Sequence, residues 1–245
     1  LASGRALLGL EQAAAAVPVF EAAVAAQPDS LDALVGLASA TYQIDGLAAA
    51  KDVLGKATAN VQKQSAYWMT VGSIDAQAGD FASAEKSFQK AVDTAAGGDG
   101  GERLMALGAL AEAQMRQGKI KEANTTSERL IKAAPNNPLV KQLRGQIAAA
   151  GGKYDEARTL LEEAVAAMPE NAQARLLLGI VNVQQGNLGQ AEMHFASVVA
   201  KQPGNVQAQR MLAEVRADGG TPQQSLQGLQ AALDEGDADP MLLAT

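Results

Sequence analysis

Residues 172–203 read AQARLLLGIVNVQQGNLGQAEMHFASVVAKQP. Two amphipathic helical patterns flank one glycine, Gly186, and a proline, Pro203, closes the stretch. The same grammar recurs at a fixed spacing. Gly118, Gly152, Gly186 and Gly220 are evenly spaced, and Pro135, Pro169 and Pro203 repeat with the same period. A period of about 34 residues marks an array in which each unit is a helix pair that buries its apolar face only by stacking on its neighbours. Each glycine of the series is positioned to end a first helix, because it enters the left-handed region without a Cβ penalty. Each proline ends a second helix, and the Asn and Asp residues after it can cap the next.

Composition fits this reading and removes several function classes. Alanine is abundant, and the 245 residues hold one Trp, three Tyr and four Phe, so the core must form by close helix packing. The net charge of −7 excludes a general phosphate-binding surface, and with it nucleic acid as a partner. No cysteine is present, which removes disulfides, thiolate metal sites and thiol nucleophiles. No apolar run reaches the ~18 residues of a membrane span. The sequence begins at Leu1 without Met and stops within a helical pattern at MLLAT, so it is read as a fragment whose signal or anchor would lie outside it.

In chain order, residues 1–30 form a partial repeat. Leu7, Leu8 and Leu10 close a first helix, and Gly9 or its neighbours make the turn. Ala16, Phe20 and Ala23 line a second helix, with Pro18 placed near its first turn, where proline is tolerated. The first full repeat, 31–64, places Leu31, Leu34, Leu37 and Ala38 on the core face. Asp45-Gly46 makes the turn, Ala50, Leu54 and Ala57 face inward, and Asp29-Ser30 supplies the N-cap. The second, 65–98, has Trp68, Val71 and Gly72, a turn at Gly79-Asp80, then Ala84, Phe88 and Ala91. A Gly-rich insertion follows at 99–103, within the run GGDGG of Gly97–Gly101. It is either a longer surface loop or a hinge between sub-arrays. No strand precedes it and no Gly-Lys-Ser/Thr follows, so it is not a phosphate-cradling loop.

Four further repeats run in register at 104–137, 138–171, 172–205 and 206–239, and 240–245 begins a truncated next one. Their second helices carry Ala123 and Leu130, then Ala157, Leu161 and Ala164, then Ala191, Phe195 and Val198, then Leu229 and Ala232. The small residue lets the helices of a pair approach. The large residue that follows one turn later is expected to fill the gap to the next repeat. Arg144 and Ser127 stand where apolar residues are expected and weaken their repeats locally.

The motif of the second repeat resembles the tetratricopeptide repeat, W-x2-L-G-x2-Y, then A-x3-F, then P. Trp68, Gly72, Ala84 and Phe88 match it; Val71 replaces Leu, Asp75 replaces Tyr and Ala96 replaces Pro. The resemblance covers nearly the whole chain. It implies an all-α fold, a right-handed superhelical solenoid of stacked helix-turn-helix repeats, with a groove lined by the first helices that holds other molecules, most often protein segments. The groove positions of that family fall here on Val35, Ser39, Tyr42 and Gln43, then Met69, Ser73 and Gln77, then Met105, Glu112, Met115 and Arg116. They continue with Gln142 and Gln146, then Gln173, Ile180, Val183 and Gln184, then Gln207, Arg210 and Glu214. This lining of Met, Gln and small residues suits an extended peptide or a glycan chain. The Lys/Asn/Arg clamp for a C-terminal carboxylate found in chaperone-binding members does not occur at these positions.

No catalytic constellation competes. His194 is the single histidine and has no Ser or Asp at useful spacing, so it reads as a solvated or half-packed helix residue. Glu162-Glu163 and Asp234-Glu235 are adjacent in sequence and turn to different helix faces. Neither a metal-ligand spacing nor a calcium loop is present. The chain is thus expected to be non-enzymatic and to need no cofactor. The stretch 175–215 is similar to long bacterial repeat lipoproteins, above all those encoded beside PEP-CTERM sorting and exopolysaccharide genes. That likeness implies a lipid-anchored parent in the bacterial cell envelope or periplasm, with a cytoplasmic setting as the alternative. Its partner would be a protein segment in polysaccharide or protein export. The alternatives are a glycan chain in the groove, a regulatory arm of an enzyme whose catalytic domain lies outside the fragment, and end-to-end self-association through Leu1–Leu10 and Met241–Leu243.

Overall fold

The structure is a computed structural model describing residues 1–95 and 100–219. Gly220, Leu229, Ala232, Asp234-Glu235 and Met241–Leu243, with Ala96 and Gly97–Asp99 of the glycine-rich run, lie outside the described residues. Among the described residues there are twelve α-helices and no strand. They divide into two compact units, Leu1–Ala133 and a second from Ala134 onward.

In the first unit, α1 (Ala2–Gly9) pairs with α2 (Ala13–Ala26). Next comes α3 (Leu31–Gly55), one continuous hydrogen-bonded element broken by Gly46 at φ 80° into the two helices of a repeat. Then α4 (Ser65–Gln77) pairs with α5 (Phe81–Thr94), and α6 (Gly100–Arg116) with α7 (Ile120–Ala133). In the second unit, α8 (Pro138–Ala150) pairs with α9 (Tyr154–Ala167), α10 (Ala172–Gln184) with α11 (Leu188–Lys201), and α12 (Val206–Gly219) follows. Apolar clusters join one repeat to the first helix of the next. Leu34, Ala38, Ala50, Leu54 and Val61, for example, pack with Tyr67 of α4.

The punctuation is local and behaves as local chemistry dictates. Gly79, Gly118, Gly152 and Gly186 all have φ between 74° and 77°. After each, the next amide reaches back to a carbonyl in the last turn: Asp80 to Asp75, Lys119 to Gln114, Lys153 to Ala148 and Asn187 to Asn182, at 2.8–3.0 Å. The caps after the prolines are asparagines. The side chains of Asn137, Asn171 and Asn205 accept from the amides of Leu139, Ala174 and Ala208 at 3.0 Å. Ser30 caps α3 by accepting from the Ala33 amide. Asp29 instead accepts from Thr58 and from the Asn60 amide group at 2.9 Å, tying the two ends of the repeat together.

Several expectations narrow or change. The turn after α1 is made by Gly9's neighbours, one of the two readings, with Glu11 in the left-handed region at φ 58°. Pro18 lies inside α2, in its second turn rather than its first. The buried aromatic of α4 is Tyr67, with Trp68 half-buried beside it. Gly100 and Gly101 belong to α6, so that helix starts one turn before residue 104. Of the two readings of the Gly-rich run, a hinge between sub-arrays does not coincide with the division into units, which falls at Ala133, and α5 packs on α6 within one unit as it would across a loop.

Phe88, Leu161 and Phe195 cover the first helix of their own repeat, and Phe195 also packs in one cluster with Leu212 and Val215 of the next, as expected. A Cβ on Gly72, Gly145 or Gly179 would lie 2.6, 2.8 or 2.4 Å from Phe88, Leu161 or Phe195, which sit on the second helix of the same pair. The signature glycine is therefore a seat for a ring or a leucine. Arg144 and Ser127 are absorbed rather than merely tolerated. Arg144 donates to Glu156 at 2.8 Å, and the buried Ser127 donates to the Asn124 carbonyl at 2.8 Å.

Candidate functional site

The helical period puts Val35, Ser39, Tyr42 and Gln43 on one stripe of α3 and Met69, Ser73 and Gln77 on one stripe of α4. The opposite stripes are buried, which fixes the directions of these side chains. Tyr67 donates its hydroxyl to the Leu54 carbonyl at 3.1 Å. Trp68 donates its indole N–H to the Gln62 carbonyl at 2.8 Å and carries Lys90 Nζ over its ring, 4.0 Å from the centroid. With the two walls held in this way, all seven stripe residues line one groove of about 390 Å³. Ala38, Thr70 and Ile74 complete its lining; the signal for Thr70 and Ile74 was their place beside Met69 and Ser73 on the same helix.

None of the lining side chains is acidic or basic. Thr70 spends its hydroxyl on the Ala66 carbonyl at 2.9 Å. By contrast, Ser39, Tyr42, Gln43, Ser73 and Gln77 have no hydrogen-bond partner among the described residues. Tyr42 is 46% exposed. The groove thus presents an open aromatic ring, a methionine, three free hydroxyls and two primary amides. It can hydrogen-bond a neutral polar backbone and cover small apolar groups.

The other predicted groove residues fare differently. On α6, Met105 is 64% exposed, Glu112 and Arg116 are exposed and Met115 is half-buried. The Arg116 guanidinium stands 5.7 Å from the Phe81 ring centroid. On α8, Gln142 is taken up by accepting from the cap residue Asn171 at 2.7 Å, and Gln146 is half-buried. Gln173 and Gln207 are both exposed. Ile180 and Val183 are partly buried and pack against the cluster around Leu176 and Phe195. Gln184 accepts from the Tyr154 hydroxyl at 3.5 Å, and Arg210 pairs with Glu214 at 3.6 Å.

His194 is half-buried. Burial, with Arg175 nearby, holds its imidazole below the ordinary histidine value against the opposing pull of Glu162. Among the described residues no three His, Asp or Glu side chains gather as a metal site, and no helix is long and apolar enough to cross a membrane.

The tetratricopeptide repeat profile matches residues 7–74, 75–147 and 148–213. No curated protein is a significant match. Solved structures similar to this chain include a tetratricopeptide repeat protein from Parabacteroides merdae, 16% identical with TM-score 0.68, over 86% of this chain and 82% of that one. Pseudomonas aeruginosa PilF is 18% identical with TM-score 0.65, over 86% and 94%. The C-terminal part of a repeat protein from Cytophaga hutchinsonii is 17% identical with TM-score 0.66, over 99% and 97%. At such identities the likeness is one of fold. With three consecutive profile matches across helix pairs whose turns are punctuated by a left-handed glycine, the chain belongs to the tetratricopeptide repeat family, whose members serve as protein-binding scaffolds.

Proposed function

We propose that this chain is a non-enzymatic scaffold whose groove between α3 and α4 holds an uncharged, extended protein segment. The observation that carries the reading is the set of five polar side chains, Ser39, Tyr42, Gln43, Ser73 and Gln77, without partners among the described residues in a groove whose lining bears no charge. Some amides elsewhere in the fold, Gln142, Gln117 and Gln114 among them, are instead consumed internally. A polar group that loses water without gaining a partner is costly, so a covering segment whose main chain meets these amides and hydroxyls is favoured over a purely apolar one. The setting we infer is the bacterial envelope, in polysaccharide or protein export, supported by the likeness of residues 175–215 to bacterial repeat lipoproteins. The open Tyr42 ring between amides equally suits a sugar ring, which makes a glycan strand the second reading.

The test is affinity capture from lysate of the source organism, with the chain run beside a Tyr42→Ala, Met69→Ala, Gln77→Ala variant. Captured material is read for protein and for sugar. A protein retained by the parent and lost by the variant is the expected result. Sugar retained in that differential way moves the assignment to the glycan. Equal capture by both baits overturns the groove.

A further inference from the structure

A second cavity, of about 420 Å³, opens between α6 and α7 within the first unit. Leu104 and Leu107 contribute apolar walls, and Arg103, Arg129 and Lys132 line it with positive charge. None of its described lining residues is acidic, and none of the ion pairs among the described residues uses these three cations. Three cations converging on one apolar recess are unexpected in a chain of net charge −7.

The chain carries its own comparison. Leu104, Leu107, Arg129 and Ala133 correspond, two repeats later, to Ala172, Arg175, Ser197 and Lys201. These four line a cavity of only about 120 Å³ between α10 and α11. That cavity contains an acid, Glu170, whose carboxylate accepts from Lys201 at 2.5 Å. Glu102 is the counterpart of Glu170, yet it does not line the α6–α7 cavity, whose described lining is apolar and cationic. The first residues of α6, at the positive end of a long helix, add to the field at its mouth.

We propose that the α6–α7 cavity binds an acidic protein segment, which sets carboxylates against Arg103, Arg129 and Lys132 and an apolar side chain on Leu104 and Leu107. A bare inorganic anion would leave the leucine walls unused, and an uncharged segment would leave three cations unanswered. Arginine suits the role, since its planar fork takes a carboxylate through two parallel N–H donors. This surface is separate from the groove of Tyr42 and stands whether or not that groove binds a partner.

The test is fluorescence anisotropy of the chain with a labelled, end-capped peptide of alternating glutamate and leucine, beside its glutamine–leucine counterpart. The parent should bind the acidic peptide at least about tenfold more tightly than the neutral one, with affinity falling as salt rises. Arg103→Ala, Arg129→Ala, Lys132→Ala should lose that preference. The three side chains carry no ion pairs among the described residues, so helicity by circular dichroism should be unchanged. Leu104→Gln should weaken binding while keeping the preference, and Tyr42→Ala should bind as the parent does. Equal affinity for the two peptides overturns the proposal. So does an unchanged Kd in the triple variant, or displacement by sodium phosphate as effective as displacement by unlabelled peptide.

Discussion

The Lys51 ammonium lies 2.5 Å from Oδ1 of Asp75, and Asp75 is 3% exposed. Lys51 stands on the second helix of one repeat and Asp75 on the first helix of the next, at the place where the family signature carries tyrosine. The bond to Asp75 is the main reason the Lys51 amine is held above its ordinary pKa. A carboxylate so deeply placed is costly once its partner is gone. Lys51→Met should therefore lower stability by about 1–3 kcal/mol, less than for a fully buried pair because Lys51 itself is partly exposed. Adding Asp75→Tyr should recover much of that loss. Urea unfolding of the single and double variants checks both; a single variant with the parent's midpoint would show the pair to be idle.

The contact of Gly179 with Phe195 makes a sharper demand. A Cβ at 179 would sit 2.4 Å from a ring that is 1% exposed and closely surrounded. Gly179→Ala should cost about 2–3 kcal/mol, although alanine is the better helix former. Gly108→Ala, where nothing lies within 4 Å, should instead gain about 0.5–1 kcal/mol. In the first full repeat the corresponding pair is Ala38 and Leu54, packed in one cluster, so Phe195→Leu should relieve Gly179→Ala. Thermal melts of these variants decide whether ring volume is the cause.

These two contacts differ from the punctuation in how far they could be read from sequence. Turn glycines and asparagine caps act over about one helical turn, so the repeat period was enough to place them. The stripes of α3 and α4 were legible for a similar reason, since helical period alone decides which residues share a face. What the period does not say is which face residues are spent between repeats. Gln142 is consumed by Asn171 and Ile180 is partly covered by the core, while Ser39 and Gln43 have no partner among the described residues. Lys51 and Asp75 belong to different repeats and meet only because second helices pack on the following first helix. The seat formed by the signature glycine is hidden for a different reason: its ring arrives from the other helix of the same pair, and the period of one helix says nothing of which residue meets it.

Glu85 offers a prediction in pH. Burial raises the pKa of its carboxyl, but hydrogen bonds from Lys119, Gln117 and Gln114 outweigh burial and leave it below the ordinary glutamate value. The native state then binds fewer protons here than the unfolded chain does. Its contribution is present above the unfolded glutamate pKa and is lost as pH falls through the native one. Glu85→Gln should lower stability near pH 7 and flatten the loss of stability below about pH 4.5. Melting temperatures from pH 7 to pH 3 test this, and parallel curves for parent and variant would show that Glu85 does not contribute in this way.

Pro18 is a case in which sequence punctuation and fold disagree. It sits in the second turn of α2, where its missing N–H leaves the Ala14 carbonyl without the usual helical donor. Phe20, just beyond it, is wholly buried against Gly4 and Gly36, so the helix is held by its packing despite the break. Pro18→Ala restores the donor and removes the ring from the helix interior, and should stabilise the first unit by about 1–3 kcal/mol. The gain should appear as slower hydrogen exchange of the α2 amides, with α10 and α11 unchanged. If exchange in α2 does not slow, the backbone around Ala14 has already accommodated the proline, and packing by Phe20 alone sets the stability of that helix.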